Sequence, residues 1–147
     1  MRWRFIDRIT RWEPWMSIEG TKAISLEEYS LLEPWGRKGC LPESLIIESG
    51  VHLARWLTLA SSSFETTCRL AEIENIAFIH ETAPGDQLNL KLTVTERHPS
   101  ELRLAGTVAT GKQLIAQGIW IVTLEPIKET VIAEDMRTLW QELHGTA

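Results

Sequence analysis

The chain has 147 residues, of which 44% are hydrophobic and 24% charged, with a formal net charge of -5 at pH 7. This is the composition of one ordinary globular domain that is long enough to form a core. The negative charge, without a basic run or zinc-ligand spacing, argues against a nucleic-acid-binding protein. No apolar run is long enough to span a membrane, because charged residues interrupt the best candidate.

The N-terminus and the cysteines indicate a cytoplasmic protein. Residues 1–8 lack the apolar run of a signal peptide. The two cysteines, Cys40 and Cys68, have no spacing typical of a metal or redox site. We interpret them as reduced thiols, and we expect neither a metal nor another cofactor.

The first 60 residues predict two strands, a loop and a long helix. Residues 3–14 and 18–26 are extended segments, and residues 27–41 form a loop with proline and glycine breakers. Pro42 suits the first turn of a helix that continues to about Ala60. Three serines then end the helix.

This predicted helix is apolar on almost every side, which is typical of a buried helix. Two exceptions, Glu48 and His52, are spaced i,i+4 and therefore project from one side as neighbours. A carboxylate in an apolar helix is unfavourable unless it is paired or functional. Glu48 is therefore the first candidate for a functional residue.

The second half of the chain predicts a sheet followed by another helix. Residues 66–124 read as strands, with clear alternation of apolar and polar residues over 86–97 and 102–110. We expect a four- or five-stranded antiparallel meander. Residues 131–143 form an amphipathic helix, which we expect to pack on its own sheet rather than on a partner.

Together these elements predict an α+β fold in which an antiparallel sheet wraps around a long central helix. The chain divides into a domain over residues 1–126 and a C-terminal helical extension over 127–147. One sheet covers only part of an apolar helix, so the uncovered surface predicts a homodimer. Whether such dimers assemble further is left open.

Three motifs resemble those of one enzyme family. Residues 5–9 read Phe-Ile-Asp-Arg-Ile, residues 84–88 read Pro-Gly-Asp-Gln-Leu, and residues 42–52 lead from Pro42 through Glu48. They are similar to the opening strand, a later turn and the central helix of bacterial 3-hydroxyacyl-(acyl-carrier-protein) dehydratases. The resemblance covers roughly residues 4–126. It implies the hotdog fold for that domain and places Glu48 at the position of the family's catalytic acid.

The chain also departs from this family. The family's loop histidine, its catalytic base, aligns with Pro34, which has no acid–base chemistry. Glu43 replaces a glycine whose backbone N–H polarises the thioester carbonyl in the family. His52 replaces a glutamine, and Trp35 replaces the loop phenylalanine. The resemblance therefore implies a divergent member without the loop histidine.

Dehydration of a 3-hydroxyacyl thioester needs a base at C2, an acid at the C3 hydroxyl, and hydrogen-bond donors for the thioester oxygen. A Glu in apolar surroundings has a raised pKa, which suits Glu48 as the acid. His52 is the leading candidate base because it is in helical register with Glu48. His80 is the second candidate. The alternatives are that His52 only forms hydrogen bonds in the core and that His80 lies at the sheet edge.

Further residues are candidates for binding the substrate and its carrier. Tyr29 is expected near the mouth of an acyl tunnel and Trp35 within that tunnel, while Glu43 stands where the family's backbone N–H polarises the thioester carbonyl. Arg37 and Lys38 would contact an acidic acyl carrier protein. Ordinary packing and solvated surface charge are the alternatives. The substrate would be a thioester of acyl carrier protein or coenzyme A, and the sequence does not choose between them.

Three functions stay open, in this order. The first is a dehydratase-like enzyme of fatty-acid or related lipid or polyketide biosynthesis, with an altered active site. The second is a non-catalytic acyl-binding or partner subunit, which the missing loop histidine favours. The third is an acyl thioesterase of the same fold, for which Glu48 alone would suffice. Acyl chain length and stereochemistry are not predicted.

Overall fold

The computed structural model describes residues 5–24, 43–82, 85–111 and 113–144. Within these ranges the chain forms six strands and two helices, which we number in chain order. The strands are β1 (Arg8–Glu13), β2 (Ser17–Ala23), β3 (Thr66–Phe78), β4 (Gln87–His98), β5 (Glu101–Ala109) and β6 (Leu114–Pro126). The helices are α1 (Glu43–Ser61), between β2 and β3, and α2 (Thr130–His144), after β6. The predicted α+β class with a C-terminal helix is confirmed.

The strands form one antiparallel sheet in the order β1-β2-β4-β5-β6-β3. The expected four- or five-stranded meander was therefore wrong, because only β4, β5 and β6 follow one another as a meander. The connection that contains α1 carries the chain from β2 to the far edge, where β3 pairs with β6. Alternating apolar residues show which face of a strand is buried, but they do not show which strand lies beside it.

Helix α1 packs across one face of this sheet and contacts β2, β3, β4 and β6. The inward residues of β4 and β5 are the alternating leucines that the sequence indicated, and all of them are buried. From the helix, Leu53, Ala54 and Leu57 meet them with no exposed surface. The core therefore lies between one side of α1 and the concave face of the sheet.

One large side chain fixes the distance between α1 and the sheet. Trp120 on β6 is fully buried, and its indole N–H donates a hydrogen bond to the backbone carbonyl of Ile47, 3.1 Å away. Two glycines make room for its ring. A Cβ at Gly50 would lie 2.6 Å from the indole, and a Cβ at Gly106 would lie 2.5 Å from it. The helix can approach the sheet here only because both positions lack a side chain.

Helix α2 packs on its own chain, against β1 and close to α1. Trp140 lies edge-on to Trp12 of β1, with ring centroids 5.3 Å apart, and 5.9 Å from Trp56 of α1. The ring of His144 stacks on Trp140, and its Nε2 accepts a hydrogen bond from the Trp12 indole at 3.2 Å. Neither α1 nor α2 is long and apolar enough to cross a membrane.

We predict that Gly106→Ala lowers the free energy of unfolding by about 1–3 kcal/mol, because the new methyl group would collide with a buried indole that has no space to move. Gly111→Ala is the control, since a Cβ there meets nothing within 4 Å. It should change stability by no more than about 0.5 kcal/mol. Urea denaturation of the three proteins measures both effects, and equal stabilities for the two variants would contradict the packing described for Trp120.

Candidate functional site

Glu48 and His52 lie on the side of α1 that the sheet does not cover. As expected for a helix packed on a single sheet, one side of α1 stays partly exposed in the single chain. The Glu48 side chain is 43% exposed and the His52 side chain is 31% exposed. Leu45 and Ile47 are also only partly buried. This half-exposed face of α1, formed by residues 45, 47, 48, 52 and 55, is called the outer helix face below.

The two side chains form a pair of fixed geometry. Nε2 of His52 lies 3.5 Å from Oε1 of Glu48, as expected for residues spaced i,i+4 on a helix. The His52 ring is also stacked on the ring of Phe5, with centroids 4.5 Å apart and an angle of 23° between the planes. The aromatic contact restrains the imidazole plane, so that one ring nitrogen stays directed at the carboxylate.

The surroundings lower the pKa of His52 below its ordinary value of 6.5. Burial is the largest cause, because the imidazolium loses solvation, and the positive charge of Arg55 acts in the same direction. The charge of Glu48 and its hydrogen bond oppose both effects. His52 is therefore mainly neutral at pH 7, which is the form that can accept a proton from a substrate.

Arg55 is a site residue that the sequence did not reveal. It is one turn beyond His52 on the same helix, is partly buried, and its Nε donates to the backbone carbonyl of Cys68 at 3.5 Å. This contact with β3 keeps the guanidinium near His52. The signal in the sequence was the spacing 48, 52, 55, which places acid, imidazole and guanidinium along one side of a helix.

The other described candidates, His80 and Glu43, lie at exposed positions. His80 follows the end of β3 and is exposed, while its backbone N–H contacts the carbonyl of Ile115 at 3.4 Å. Glu43 is the first residue of α1 and is also exposed. Glu48 and His52 are thus brought together, whereas His80 lies at a solvent-facing position beyond the strand.

The remaining candidates lie outside the described residues. Tyr29, Trp35, Arg37 and Lys38 all fall within residues 25–42, together with Pro34 and Cys40. Pro84 of the Pro-Gly-Asp motif also lies outside. Their assigned roles in binding substrate or carrier protein stay predictions.

Cys68 is a free, buried cysteine rather than a reactive one. Burial raises the pKa of its thiol to about 11, and a hydrogen bond with Thr58 and the charge of Arg55 only partly offset this. The thiolate, which is the reactive form, is therefore scarce at neutral pH. In the described part of the chain, no group of three or more His, Cys, Asp or Glu side chains has the arrangement of a metal site.

Solved structures show that this chain has the hotdog fold. A hot-dog-like protein from Thermanaerovibrio acidaminovorans superposes with a TM-score of 0.66 at 13% identity, covering 90% of this chain and 94% of the other. The smu.793 protein of Streptococcus mutans, bound to acetyl CoA, gives 0.66 at 11% identity, with 83% and 90% covered. A hypothetical thioesterase with coenzyme A from Streptococcus pneumoniae gives 0.63 at 7% identity, with 83% and 88% covered.

Among curated proteins, the sequence is similar to 3-hydroxyacyl-(acyl-carrier-protein) dehydratases named FabZ, which confirms the resemblance found in its motifs. The Nitrosospira multiformis enzyme is 28% identical over 129 residues, covering 85% of this chain and 88% of the relative. The Sorangium cellulosum enzyme is 27% identical over 122 residues, covering 81% and 79%. No family model matches the chain.

We predict opposite effects of the two charged neighbours on the pKa of His52. Arg55→Gln should raise this pKa, because it removes a repulsive positive charge, and Glu48→Gln should lower it, because it removes an attractive negative charge. NMR titration of the His52 ring, assigned with His52→Gln, measures both. If either variant shifts the pKa in the other direction, the described electrostatics are wrong.

The same pKa shift affects stability in a defined direction. A histidine whose folded-state pKa is lowered does not change the free energy of unfolding well above pH 6.5, because it is neutral in both the folded and the unfolded state there. As the pH falls below 6.5, the unfolded chain binds the proton first, so the free energy of unfolding decreases until the folded-state pKa is reached. Glu48→Gln should enlarge this decrease and Arg55→Gln should reduce it.

Proposed function

We propose that the protein is a dehydratase-like enzyme that removes water from a 3-hydroxyacyl thioester, with Glu48 and His52 of a single helix as acid and base. The observation that carries this proposal is the Glu48–His52 pair, 3.5 Å apart on the outer helix face, with His52 held mainly neutral. The dehydratase relatives support the reaction class. Burial of the imidazole supports the role of His52 as the base.

In the proposed reaction His52 removes a proton from C2 of the substrate, and Glu48 acts as the acid that donates a proton to the hydroxyl at C3. The C3–O bond breaks, a double bond forms between C2 and C3, and water leaves. The imidazolium then returns its proton to the Glu48 carboxylate across the short distance between them. The backbone N–H groups of the first turn of α1, which begins at Glu43, have no partners within the helix and suit the thioester oxygen.

We predict that Glu48→Gln and His52→Gln each lower kcat for dehydration by about 10²–10⁴-fold, which is the usual contribution of general acid–base catalysis. The substrates are 3-hydroxyacyl thioesters of carrier protein and of coenzyme A, with enoyl products followed by mass spectrometry. The chain offers a matched control pair, Glu96 and His98 on β4, whose side chains also approach to 3.5 Å but are mostly exposed.

Glu96→Gln and His98→Gln should leave dehydration unchanged. If the wild-type protein is folded and converts neither the hydroxyacyl nor the enoyl thioester, the dehydratase proposal is wrong. If only Glu48→Gln loses activity, His52 is not the base, and the exposed His80 becomes the residue to replace next.

A thioesterase is the second candidate function, and it is favoured by structures of the same fold that are named thioesterases, including one with coenzyme A. In that reaction Glu48 alone would act as nucleophile or base, so His52→Gln would retain activity. Release of free thiol, instead of loss of water, would identify it. Binding of an acyl thioester without either product would instead identify a non-catalytic acyl-binding subunit.

The homodimer inferred from the apolar helix is part of this proposal. β3 is an edge strand of 13 residues that pairs on one side only, with β6, in the single chain. Unpaired edge strands readily pair with another chain. Pairing of two β3 strands would bring a second copy near the neighbouring outer helix face and would further bury Glu48 and His52. Recognition of a carrier protein and a cytoplasmic location remain predictions from the sequence.

We predict that light scattering after gel filtration gives twice the chain mass of 16.8 kDa. Hydrogen exchange should then find the outward backbone amides of β3 protected, since a partner strand would accept their hydrogen bonds. The opposite edge strand, β1, is the internal control and should exchange quickly at its outward amides. A monomer, or rapid exchange along both edges, would show that β3 is not the dimer interface.

A further inference from the structure

We propose that Arg55 recognises a carboxylate on the acyl chain of the substrate, so that the enzyme acts on thioesters of dicarboxylic acids. This substrate class rests on the proposed acyl-thioester function. Two observations carry it, which are the position of Arg55 beside the Glu48–His52 pair and the hydrogen bonding of its guanidinium.

Arg55 lies on the outer helix face, on the same side of α1 as the pair. It follows His52 by three residues and Glu48 by seven, and residues with these spacings share one side of a helix. The separations along the helix axis are about 4.5 Å and about 10.5 Å, at a rise of 1.5 Å per residue. An acyl chain that lies along this face, from the pair toward the end of α1, therefore meets Arg55.

The guanidinium is held in place by one donor and keeps its terminal nitrogens for another partner. Its Nε donates to the backbone carbonyl of Cys68 on β3, 3.5 Å away, which uses one of the five N–H donors. Among the residues that the structure describes, no Asp or Glu forms an ion pair with Arg55. Nη1 and Nη2 form the fork that binds a carboxylate through two parallel hydrogen bonds.

A partly buried cation without a counter-ion is unfavourable unless a ligand or a partner supplies one. Leu45 and Ile47 make the rest of the outer helix face apolar, so a hydrocarbon chain alone gives no reason for a guanidinium there. The charge of Arg55 also opposes protonation of His52, which the proposed reaction requires. A carboxylate on the substrate would supply the counter-ion and offset this repulsion when the imidazolium forms.

The anionic oxygen group has two possible sources, which are a carboxylate on the acyl chain and the phosphate of the carrier. The phosphate stands at the far end of the long pantetheine arm, many bonds away from the thioester. Arg55 is only three residues from His52, which would lie at C2 of the substrate. This short separation favours a carboxylate at the end of a short acyl chain.

The test compares two coenzyme A thioesters of equal chain length that differ only at the end of the chain. The 3-hydroxyadipyl group ends in a carboxylate, and the 3-hydroxyhexanoyl group ends in a methyl group. We expect the wild type to favour the adipyl thioester in kcat/KM by about 10–100-fold, the usual effect of a hydrogen bond to a charged group. Arg55→Gln should abolish this preference, and Arg55→Lys, which keeps the charge without the fork, should retain part of it.

Arg69→Gln is the matched control. Arg69 follows Cys68 on β3, but its side chain is 73% exposed and already pairs with Glu125, 2.6 Å away. Its replacement removes the same charge and should leave the preference unchanged. Because the ratio of two substrates is measured, a general loss of activity or stability in Arg55→Gln does not imitate the expected result.

Thioethers with the same two acyl chains, which cannot react, separate this inference from the proposed reaction. If the wild type turns over neither thioester, the dehydratase proposal fails, yet tighter binding of the carboxylate-terminated thioether, lost in Arg55→Gln, still supports the inference. NMR titration should also give His52 a higher pKa with this thioether than with the methyl-terminated one, because the carboxylate offsets the charge of Arg55.

Three results would overturn the inference. Equal kcat/KM and equal affinity for the two chains in the wild type would show that no carboxylate is recognised. Equal losses for both chains in Arg55→Gln, absent with thioesters of N-acetylcysteamine, which lack the phosphate, would assign Arg55 to the carrier arm. Weaker dimerisation of Arg55→Gln, in a wild type without chain preference, would assign the counter-ion to a second copy of the chain.

Discussion

The packing of α1 on Trp120 is the contact on which both the core and the candidate site depend. A helix of 19 residues lies across one face of the sheet, and two glycines flank the buried indole between them. Because the hydrogen bond from Trp120 ends on the carbonyl of Ile47, the rotation of α1 about its own axis is restrained at the turn that carries Glu48. That rotation decides which side chains face the sheet and which form the outer helix face.

The electrostatics of the outer helix face follow from this orientation. Ser49 and Gly50 are buried, whereas Glu48 and His52 are only partly buried on the side away from the sheet. His52 is partly desolvated by burial, with Phe5 stacked on its ring and the charge of Arg55 acting in the same direction on its pKa. Further burial by a partner chain would act in the same direction and favour the neutral imidazole more strongly. Exclusion of water from this face would therefore increase the fraction of neutral imidazole, which is the form that can accept a proton.

Much of this fold was predictable from the sequence, because local patterns determine local structure. The alternation of leucine and valine with polar residues over 88–94 and 102–108 identified the buried faces of β4 and β5, and the run after Pro42 identified α1. The strand order was not predictable in this way, since it depends on which edges meet after the long crossover through α1. The resemblance to a known family indicated the fold, but the pairing of β3 with β6 became clear only from the three-dimensional structure.

The candidate site shows the same division between local and long-range information. The i,i+4 spacing predicted that Glu48 and His52 are neighbours, and no more than helical geometry was needed. An uncovered side of the helix was predicted, but the apolar residues around its circumference did not reveal that Glu48 and His52 lie on that side. Phe5 reaches His52 from a distant part of the chain, and nothing in its local sequence marks it for this contact.

Acid and base on one helix impose a geometry that differs from a pair facing each other across a substrate. Both groups project from the same side of α1, so both can approach a substrate only from one face. The proton at C2 and the hydroxyl at C3 of the proposed substrate are on adjacent carbons. Side chains whose Nε2 and Oε1 atoms are 3.5 Å apart suit this substrate if the proton and the hydroxyl leave from the same face of it. A base located on a separate loop would be positioned by that loop's conformation. Here the backbone of α1 holds the two residues one helical turn apart, and the aromatic contact with Phe5 restrains the plane of the imidazole.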